Sequence, residues 1–250
     1  MTTLSVVVIT LNEERRIADC LAAVSWADEL VVVDSGSTDA TVAIARQQGA
    51  RVLTRPFTTY AEQKNAALAA ATCDWILSLD ADERVTPELA AEMRAAIANA
   101  GDAVGFSMLR REHMLGRWIN HGSWGPEYKL RLVRRGRGAW QGDVHETLSV
   151  AGPTRRLRSP LLHETNDAVS DIVRKTDRYT TLEARAAHAA GVRPSLWRLA
   201  LYPPTLFLYS FVVRGGWRDG MAGFILAALA AHYTFLKRAK LWELSNSAIS

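Results

Sequence analysis

The chain has 250 residues, of which 48% are hydrophobic, so it can bury one sizeable core but is too short for two full catalytic domains. Its two cysteines, Cys20 and Cys73, lie in separate apolar stretches, which argues against a disulfide framework and a cysteine zinc site. The net charge of +4 is uneven, because residues 1–100 carry 8 Lys and Arg against 14 Asp and Glu, whereas residues 101–250 are basic. This polarity is typical of a protein that holds a cation at one place and meets an anionic partner at another.

The first hundred residues alternate between buried strands and helices. Strands are predicted at "LSVVVIT" (4–10), "ELVVVD" (29–34), "RVLTR" (51–55) and "DWILSLD" (74–80). Four helices are predicted between and after these strands. The first runs through Ile17 to Val24 with Asn12 as its cap, and the second ends at Gly49. The third covers "YAEQKNAALAAA" (60–71), and the fourth begins at Thr86-Pro87-Glu88. The first apolar run has no basic region before it, so we interpret it as a strand and not as a signal peptide. The alternation predicts an α/β protein with a mostly parallel sheet and helices on both faces.

Polar residues follow three of these strands. They lie at 10–12, 34–39 and 80–82, where the carboxyl ends of the parallel strands should meet and where such sheets bind ligands. Asp80 and Asp82 are one residue apart after an apolar strand, and two like charges so close favour a bound cation. We therefore expect a divalent cation, Mg²⁺ or Mn²⁺, which would neutralise a pyrophosphate leaving group.

The second half is organised differently. After "AVGFSML" (103–109), a loop rich in Trp, His and Gly is predicted over 110–128, followed by a strand at "KLRLVRR" (129–135) and by "GAWQGDVHETL" (138–148). A helix predicted over 167–190 places Lys175, Arg178 and Tyr179 on one face. We divide the chain into a domain at 1–165, with halves 1–100 and 101–165, and a helical region at 166–250.

Two nearly uncharged runs lie between 196 and 244, separated by "RGGWRDG". Each falls short of the roughly 20 residues that a membrane-spanning helix needs. Because Arg, Lys and Trp lie at their borders, we expect a helical hairpin that associates with an anionic membrane surface. The alternative is an ordinary helical pair packed on the main domain or on a second copy of the chain.

The motifs "SVVVITLNEERRI", "ELVVVDSGSTDAT" and "EQKNAALAAATCDWILSLDADERV" resemble the family 2 glycosyltransferases of GT-A fold. The later motifs "KLRLVRRG", "VHETL", "KTDRYTTLEA" and "GGWRDGMAGFILAALAAHYTFLKRAKLWE" resemble the lipopolysaccharide inner-core β-1,4-glucosyltransferase branch. The resemblance covers nearly the whole chain. It implies a GT-A nucleotide-sugar-binding fold and inverting, metal-dependent transfer of a hexose, glucose from UDP-glucose, to an inner-core acceptor.

The resemblance also implies roles for individual residues. Thr10 and Asn12 would line the nucleotide pocket, and Asp34 would contact the base or ribose. Lys64 would lie near the ribose or phosphate. Asp80 would face the ribose and the metal, and Asp82 would be the main metal ligand.

Inversion requires a carboxylate that takes the proton of the acceptor hydroxyl. We choose Glu146 in "GDVHETL", with Asp143, Glu127 and Glu164 as further candidates and His145 as a residue that orients Glu146 or touches phosphate. Arg131 and Arg134, with Lys175, Arg178 and Tyr179, are candidates for binding phosphates of the donor or of an anionic acceptor. Only part of that set need be functional, because helix faces are ordinarily charged.

A membrane-borne anionic glycolipid accounts for both the basic residues and the apolar helices, and no nucleic-acid recognition module is visible. We therefore expect a protein at the cytoplasmic face of the inner membrane, peripheral or monotopic. The alternatives are a polyprenyl-phosphate or other cell-envelope glycan acceptor, and a non-catalytic nucleotide-binding protein at the membrane.

Overall fold

The computed structural model describes residues 2–142, 146–165 and 168–246, and it divides into two compact units. The sheet unit comprises residues 1–111 and 127–164, and the helical unit comprises residues 112–126 and 165–250. In this division residues 112–126 fall in the helical unit, while the domains at 1–165 and 166–250 stay a prediction.

The first part of the sheet unit has the predicted alternation of strands and helices. Its elements are β1 (Leu4–Thr10), α1 (Ile17–Ala22), β2 (Glu29–Asp34), α2 (Thr41–Gln47), β3 (Arg51–Thr54), α3 (Tyr60–Ala70), β4 (Trp75–Asp80), β5 (Glu83–Val85) and α4 (Pro87–Ala98). Strands β3, β2, β1 and β4 are adjacent in that order and parallel. Most Val, Ile and Leu side chains of β1, β2 and β4 are buried on both faces, because helices cover the sheet on each side, whereas Leu53 of β3 is exposed.

Helix starts follow the local chemistry in two of the predicted cases. The hydroxyl of Thr59 accepts from the backbone N–H of Glu62 and caps α3, and Thr86 caps α4 ahead of Pro87. The predicted cap Asn12 is wrong, because α1 begins only at Ile17. Asn12 adopts a left-handed backbone with φ of 56°, and its side chain contacts the loop after β2 instead.

The strands after α4 pair mainly with antiparallel neighbours, and the one at residues 117–119 lies in the helical unit. The later strands are β6 (Gly105–Met114), β7 (Arg117–Ile119), β8 (Glu127–Arg134), β9 (Gly138–Gln141), β10 (Thr147–Val150) and β11 (Thr154–Glu164). The sheet continues from β4 through β8, β6 and β11 to β5, with β8 antiparallel to both β4 and β6. The α/β class is confirmed, but the sheet is mixed. The predicted loop over 110–128 is wrong in part, since it contains the end of β6 and all of β7.

The helical unit contains three long helices. They are α5 (Val169–Ala189), α6 (Leu196–Leu208), which continues as a π-helical turn over Tyr209–Val213, and α7 (Gly220–Asn246), which follows a 3-10 turn over Gly216–Asp219. Helices α5 and α6 pack on α7. On the α5 side, Glu183 contacts both Tyr233 and Lys237.

The expectation that the apolar runs are too short to span a membrane is wrong. Within the described residues, 196–213 (18 residues) and 216–246 (31 residues) are long and apolar enough by length and composition. Helix α7 continues without a break through the polar residues His232, Tyr233 and Thr234. Length and composition of one or two helices are weak support for spanning, because core helices of soluble proteins share them. Here the first segment is only 6% buried.

Candidate active site

Asp34, at the end of β2, organises the loop that follows it. Its carboxylate accepts from the hydroxyl of Thr10 at 3.2 Å and from the backbone N–H groups of Gly36 and Ser37, both at 2.9 Å. Asn12 holds the same loop, because its side-chain oxygen accepts from the N–H of Thr38 at 2.9 Å. Thus three predicted nucleotide residues, Thr10, Asn12 and Asp34, lie together at the carboxyl edge of β1 and β2.

Lys64, on α3, is a buried cation shared by two carboxylates. Its Nζ lies 2.8 Å from Oδ1 of Asp80 and 2.9 Å from Oε1 of Glu146, while the Lys64 side chain is 5% exposed. The same Nζ lies 4.4 Å from the centre of the Trp140 ring. The contacts bring the predicted nucleotide residues Lys64 and Asp80 together with the predicted base Glu146.

Asp80 also binds Arg131 of β8. Arg131 Nη2 lies 2.9 Å from Oδ2 of Asp80 and 2.7 Å from Oε1 of the fully buried Glu83. Burial by itself raises the pKa of Asp80, but the charges of Lys64 and Arg131 outweigh it and hold that pKa far below its usual range. Because each carboxylate oxygen of Asp80 meets a cation, this arrangement favours Asp82 over Asp80 as a metal ligand.

Asp82 faces His163 of β11. Nε2 of His163 lies 3.2 Å from Oδ1 of Asp82, and both side chains are mostly buried. Burial raises the pKa of Asp82, yet the hydrogen bond and charge of His163 outweigh it, so this pKa is lowered. If the Nε2 proton of His163 were lost, this imidazole and the Asp82 carboxylate would offer one nitrogen and one oxygen donor to a divalent cation. Among the described residues no cluster of three such ligands is present.

Two predicted phosphate ligands lie at different places. Arg134 pairs with Trp75 at the start of β4, so it lies at the opposite end of that strand from Asp80. Arg131 is at the site, where it is 5% exposed and contacts Asp80 and Glu83.

The remaining predicted residues either take no part in the side-chain contacts of Lys64, Asp80 and Asp82 described above, or lie outside the residues that the structure describes. Lys175, Arg178 and Tyr179 lie on α5 in the helical unit. Asp143 and His145 lie outside the described residues. Glu127 is exposed and pairs with Lys129 at 2.8 Å, whereas Glu164 donates its backbone N–H to the carbonyl of Asp82 at 2.9 Å.

Sequence reasoning missed four residues of the site: Glu83, Arg110, Trp140 and His163. Arg110 of β6 lies 3.5 Å from Glu83, which also accepts from the backbone N–H of Asp80 at 3.0 Å. Asn65 fixes Trp140 by exchanging two hydrogen bonds with its backbone. His163 had a usable signal, since "LLHE" places a histidine and a glutamate after an apolar pair, as at a strand end.

The chain is similar to known glycosyltransferases over nearly its whole length. Residues 5–150 match the glycosyl transferase family 2. The lipopolysaccharide core biosynthesis glycosyltransferase LpsC of Rhizobium meliloti (strain 1021) is 33% identical over 248 residues, covering 96% of this chain and 92% of that protein. An uncharacterized glycosyltransferase of Rickettsia felis is 30% identical over 261 residues, covering 97% of this chain and 90% of that protein.

A solved structure shares the fold. Glucosyl-3-phosphoglycerate synthase from Mycobacterium tuberculosis, in complex with Mn²⁺, UDP and phosphoglyceric acid, has a TM-score of 0.50 and 19% identity. The match covers 78% of this chain and 80% of that one. At this identity the likeness shows the fold alone.

Proposed function

The chain belongs to the glycosyl transferase family 2, and from that premise we propose that this glycosyltransferase moves a hexose, glucose from UDP-glucose, to a lipopolysaccharide inner-core acceptor with inversion. The observation that carries the proposal is the position of Lys64, whose amine joins Asp80 on the donor strand to Glu146. A buried cation that connects those two carboxylates places a donor-binding group next to a candidate base.

The donor side is built from the edge of the parallel strands. Thr10, Asn12 and Asp34 shape the loop that we propose surrounds the nucleoside, and Lys64, beside Asp80, is the proposed contact to the ribose or a phosphate. A divalent cation held by Asp82 and His163 would supply charge neutralisation to the diphosphate leaving group. The Mycobacterium tuberculosis enzyme of this fold was solved with Mn²⁺ and UDP, the pair that we propose for this chain.

Glu146 is the proposed base. As the acceptor oxygen bonds to the anomeric carbon and the bond to UDP breaks, the carboxylate of Glu146 takes the hydroxyl proton. Its 2.9 Å contact with Lys64 fixes one oxygen and leaves the other for the acceptor. Asp143 is a further candidate that lies outside the described residues. Glu127 is a weaker one, because it is exposed and paired with Lys129.

The acceptor is proposed from the relative and from charge. The Rhizobium meliloti protein is named for lipopolysaccharide core biosynthesis. Residues 186–250 carry 7 Lys and Arg and 2 Asp and Glu, which suits a phosphate-bearing glycolipid at the cytoplasmic face of the inner membrane. Lys175, Arg178 and Tyr179 are the proposed acceptor contacts on α5.

A polyprenyl-phosphate acceptor is the second candidate. It is favoured by one observation, namely that two C-terminal segments are long and apolar enough to cross a membrane. The phosphate of such a lipid lies at the membrane surface directly beside its chain, so an enzyme that acts on it would need such helices more than one that acts on a core sugar farther from the bilayer.

A two-stage assay tests the proposal with the full chain. Release of UDP from a panel of nucleotide sugars, with and without Mn²⁺, identifies the donor. UDP-glucose should be hydrolysed fastest and only with the metal. Incubation of that donor with truncated lipopolysaccharide or with polyprenyl phosphate then identifies the acceptor. Transfer to polyprenyl phosphate alone would replace the first acceptor by the second, and absence of hydrolysis and transfer for every donor would refute catalysis.

A further inference from the structure

The turn between the two apolar helices has a fixed shape because its glycines are in contact with backbone. A Cβ on Gly216 would lie 2.9 Å from the carbonyl oxygen of Ser210, and one on Gly223 would collide with the carbonyl of Gly216. Gly215 has φ of 71°, a conformation that favours glycine. A larger side chain at Gly215, Gly216 or Gly223 would therefore distort the turn that residues 214–220 form.

A loop from much earlier in the chain is bound to this turn. The carboxylate of Asp219, which is 3% exposed, accepts from the backbone N–H groups of Asn120 at 3.0 Å and His121 at 2.8 Å. The N–H of Gly122 donates to the carbonyl of Arg214 at 3.0 Å. A buried carboxylate that satisfies two backbone donors is costly to remove, so the loop and turn hold one geometry.

This geometry collects four basic side chains, which we call the turn cluster: Arg117, His121, Arg214 and Arg218. Cδ2 of His121 and Cδ of Arg218 both lie 3.6 Å from the point that a Cβ on Gly215 would occupy. Nη1 of Arg117 donates to the carbonyl of Asp219 at 3.1 Å. Nδ1 of His121 faces the Asp219 carboxylate at 3.2 Å, which orients the ring.

The positive charge of the turn cluster is not balanced by its own segment. Asp219 is the only acidic residue between Leu196 and Trp242, and the loop uses its carboxylate. The three arginines are exposed. An anion is therefore the expected ligand of this surface.

Exposed apolar side chains lie on both sides of the turn cluster. Val213 is 71% exposed, Trp217 is 55% exposed and Met221 is 72% exposed. A soluble anion would leave this apolar surface in water, whereas a lipid head group brings acyl chains next to it. Protein segments at the membrane–water interface are also rich in Trp and in basic residues such as Arg.

We propose that the turn cluster binds the phosphate groups of anionic membrane lipids, with Trp217 and its apolar neighbours inserted beside the head groups. The arginines supply the charge and the N–H donors, and Asp219 holds the ring of His121 beside them. This inference rests on the membrane location proposed above, but it does not depend on which sugar the enzyme transfers.

Sedimentation with vesicles tests the inference on the full chain at low salt. The wild type should sediment with phosphatidylcholine vesicles that contain phosphatidylglycerol and much less with phosphatidylcholine alone. The Arg214→Gln/Arg218→Gln variant should lose about fivefold in partitioning for each arginine removed. The matched control Arg135→Gln/Arg137→Gln removes two exposed arginines of the sheet unit and should partition like the wild type.

Two further measurements keep the outcomes separate. UDP-sugar hydrolysis and the thermal unfolding temperature should be unchanged in Arg214→Gln/Arg218→Gln, so a loss of vesicle binding would not reflect misfolding or failure of the donor site. Inorganic phosphate, added at the concentration of the phosphatidylglycerol in the vesicles, should not displace the protein from them. Equal sedimentation of this variant and the wild type, or displacement by free phosphate, would overturn the inference even if donor hydrolysis is normal.

Discussion

Lys64 and Glu146 form an ion pair of 2.9 Å that joins helix α3 to the residue preceding strand β10. The same amine lies 2.8 Å from Asp80, at the end of β4. A single buried cation thus connects the strand that presents the Asp-x-Asp motif with the proposed base. A change at any of these three residues should therefore affect both the stability of the sheet unit and sugar transfer.

Replacement of Lys64 by Met should lower the free energy of unfolding by about 3 kcal/mol, because Asp80 and Glu146 lose a buried cation that they share. Urea unfolding followed by circular dichroism measures the change. The matched control is Lys129→Met, which breaks an exposed pair with Glu127 and should change stability by less than about 0.5 kcal/mol. Equal effects of the two substitutions would show that the Lys64 contacts add no stability.

Replacement of Glu146 by Gln should preserve donor binding and lower the rate of transfer by about 10²- to 10⁴-fold, because the amide cannot accept the hydroxyl proton. Single-turnover transfer and UDP titration separate the two effects. Glu127→Gln is the control and should transfer sugar normally. Normal transfer by Glu146→Gln with loss in Glu127→Gln would assign the base to Glu127.

The parts of this site that the sequence predicts are those encoded by adjacent residues. Valine-rich runs specify β1 and β2, and the local order places Asp34, Asp80 and Asp82 at strand ends. His163 reaches Asp82 only because β11 pairs with β5, and no local pattern encodes that register. The sequence predicts a loop at Arg110, because this charged side chain, which faces the buried Glu83, interrupts the apolar pattern of β6.

Glu29 should make stability fall in acid. Burial alone would raise its pKa, but hydrogen bonds from Ser5, Arg51 and Thr72 lower it to about 2. Since the folded pKa is below the unfolded value of about 4.5, the contribution is complete above pH 4.5 and is lost as pH falls toward 2.

Glu29→Gln should therefore be less stable than the wild type at pH 7 and lose less stability between pH 4.5 and 2. Urea unfolding at several pH values measures both slopes. The control Glu88→Gln changes an exposed glutamate and should leave the slope unchanged. A Glu29→Gln slope equal to that of the wild type would contradict the assignment.

Cys20 should be unreactive in the folded protein. It is fully buried on α1, and burial raises the pKa of its thiol to about 12, so almost no thiolate forms at neutral pH. In a Cys73→Ser variant, a disulfide reagent at pH 8 should titrate no thiol until denaturant is added, and one thiol afterwards. Rapid reaction of the native variant would show that α1 opens readily.

The central claim is that Asp82 and His163 hold a divalent cation that binds the donor diphosphate. Calorimetric titration with UDP, with and without Mn²⁺, tests it in the wild type, in Asp82→Ala and in His163→Ala, with Asp102→Ala as an exposed-carboxylate control. The wild type and the control should bind UDP only with the metal, and the two site variants should lose at least ~10-fold in metal-dependent affinity. Undiminished, Mn²⁺-dependent binding of UDP by Asp82→Ala would contradict the claim.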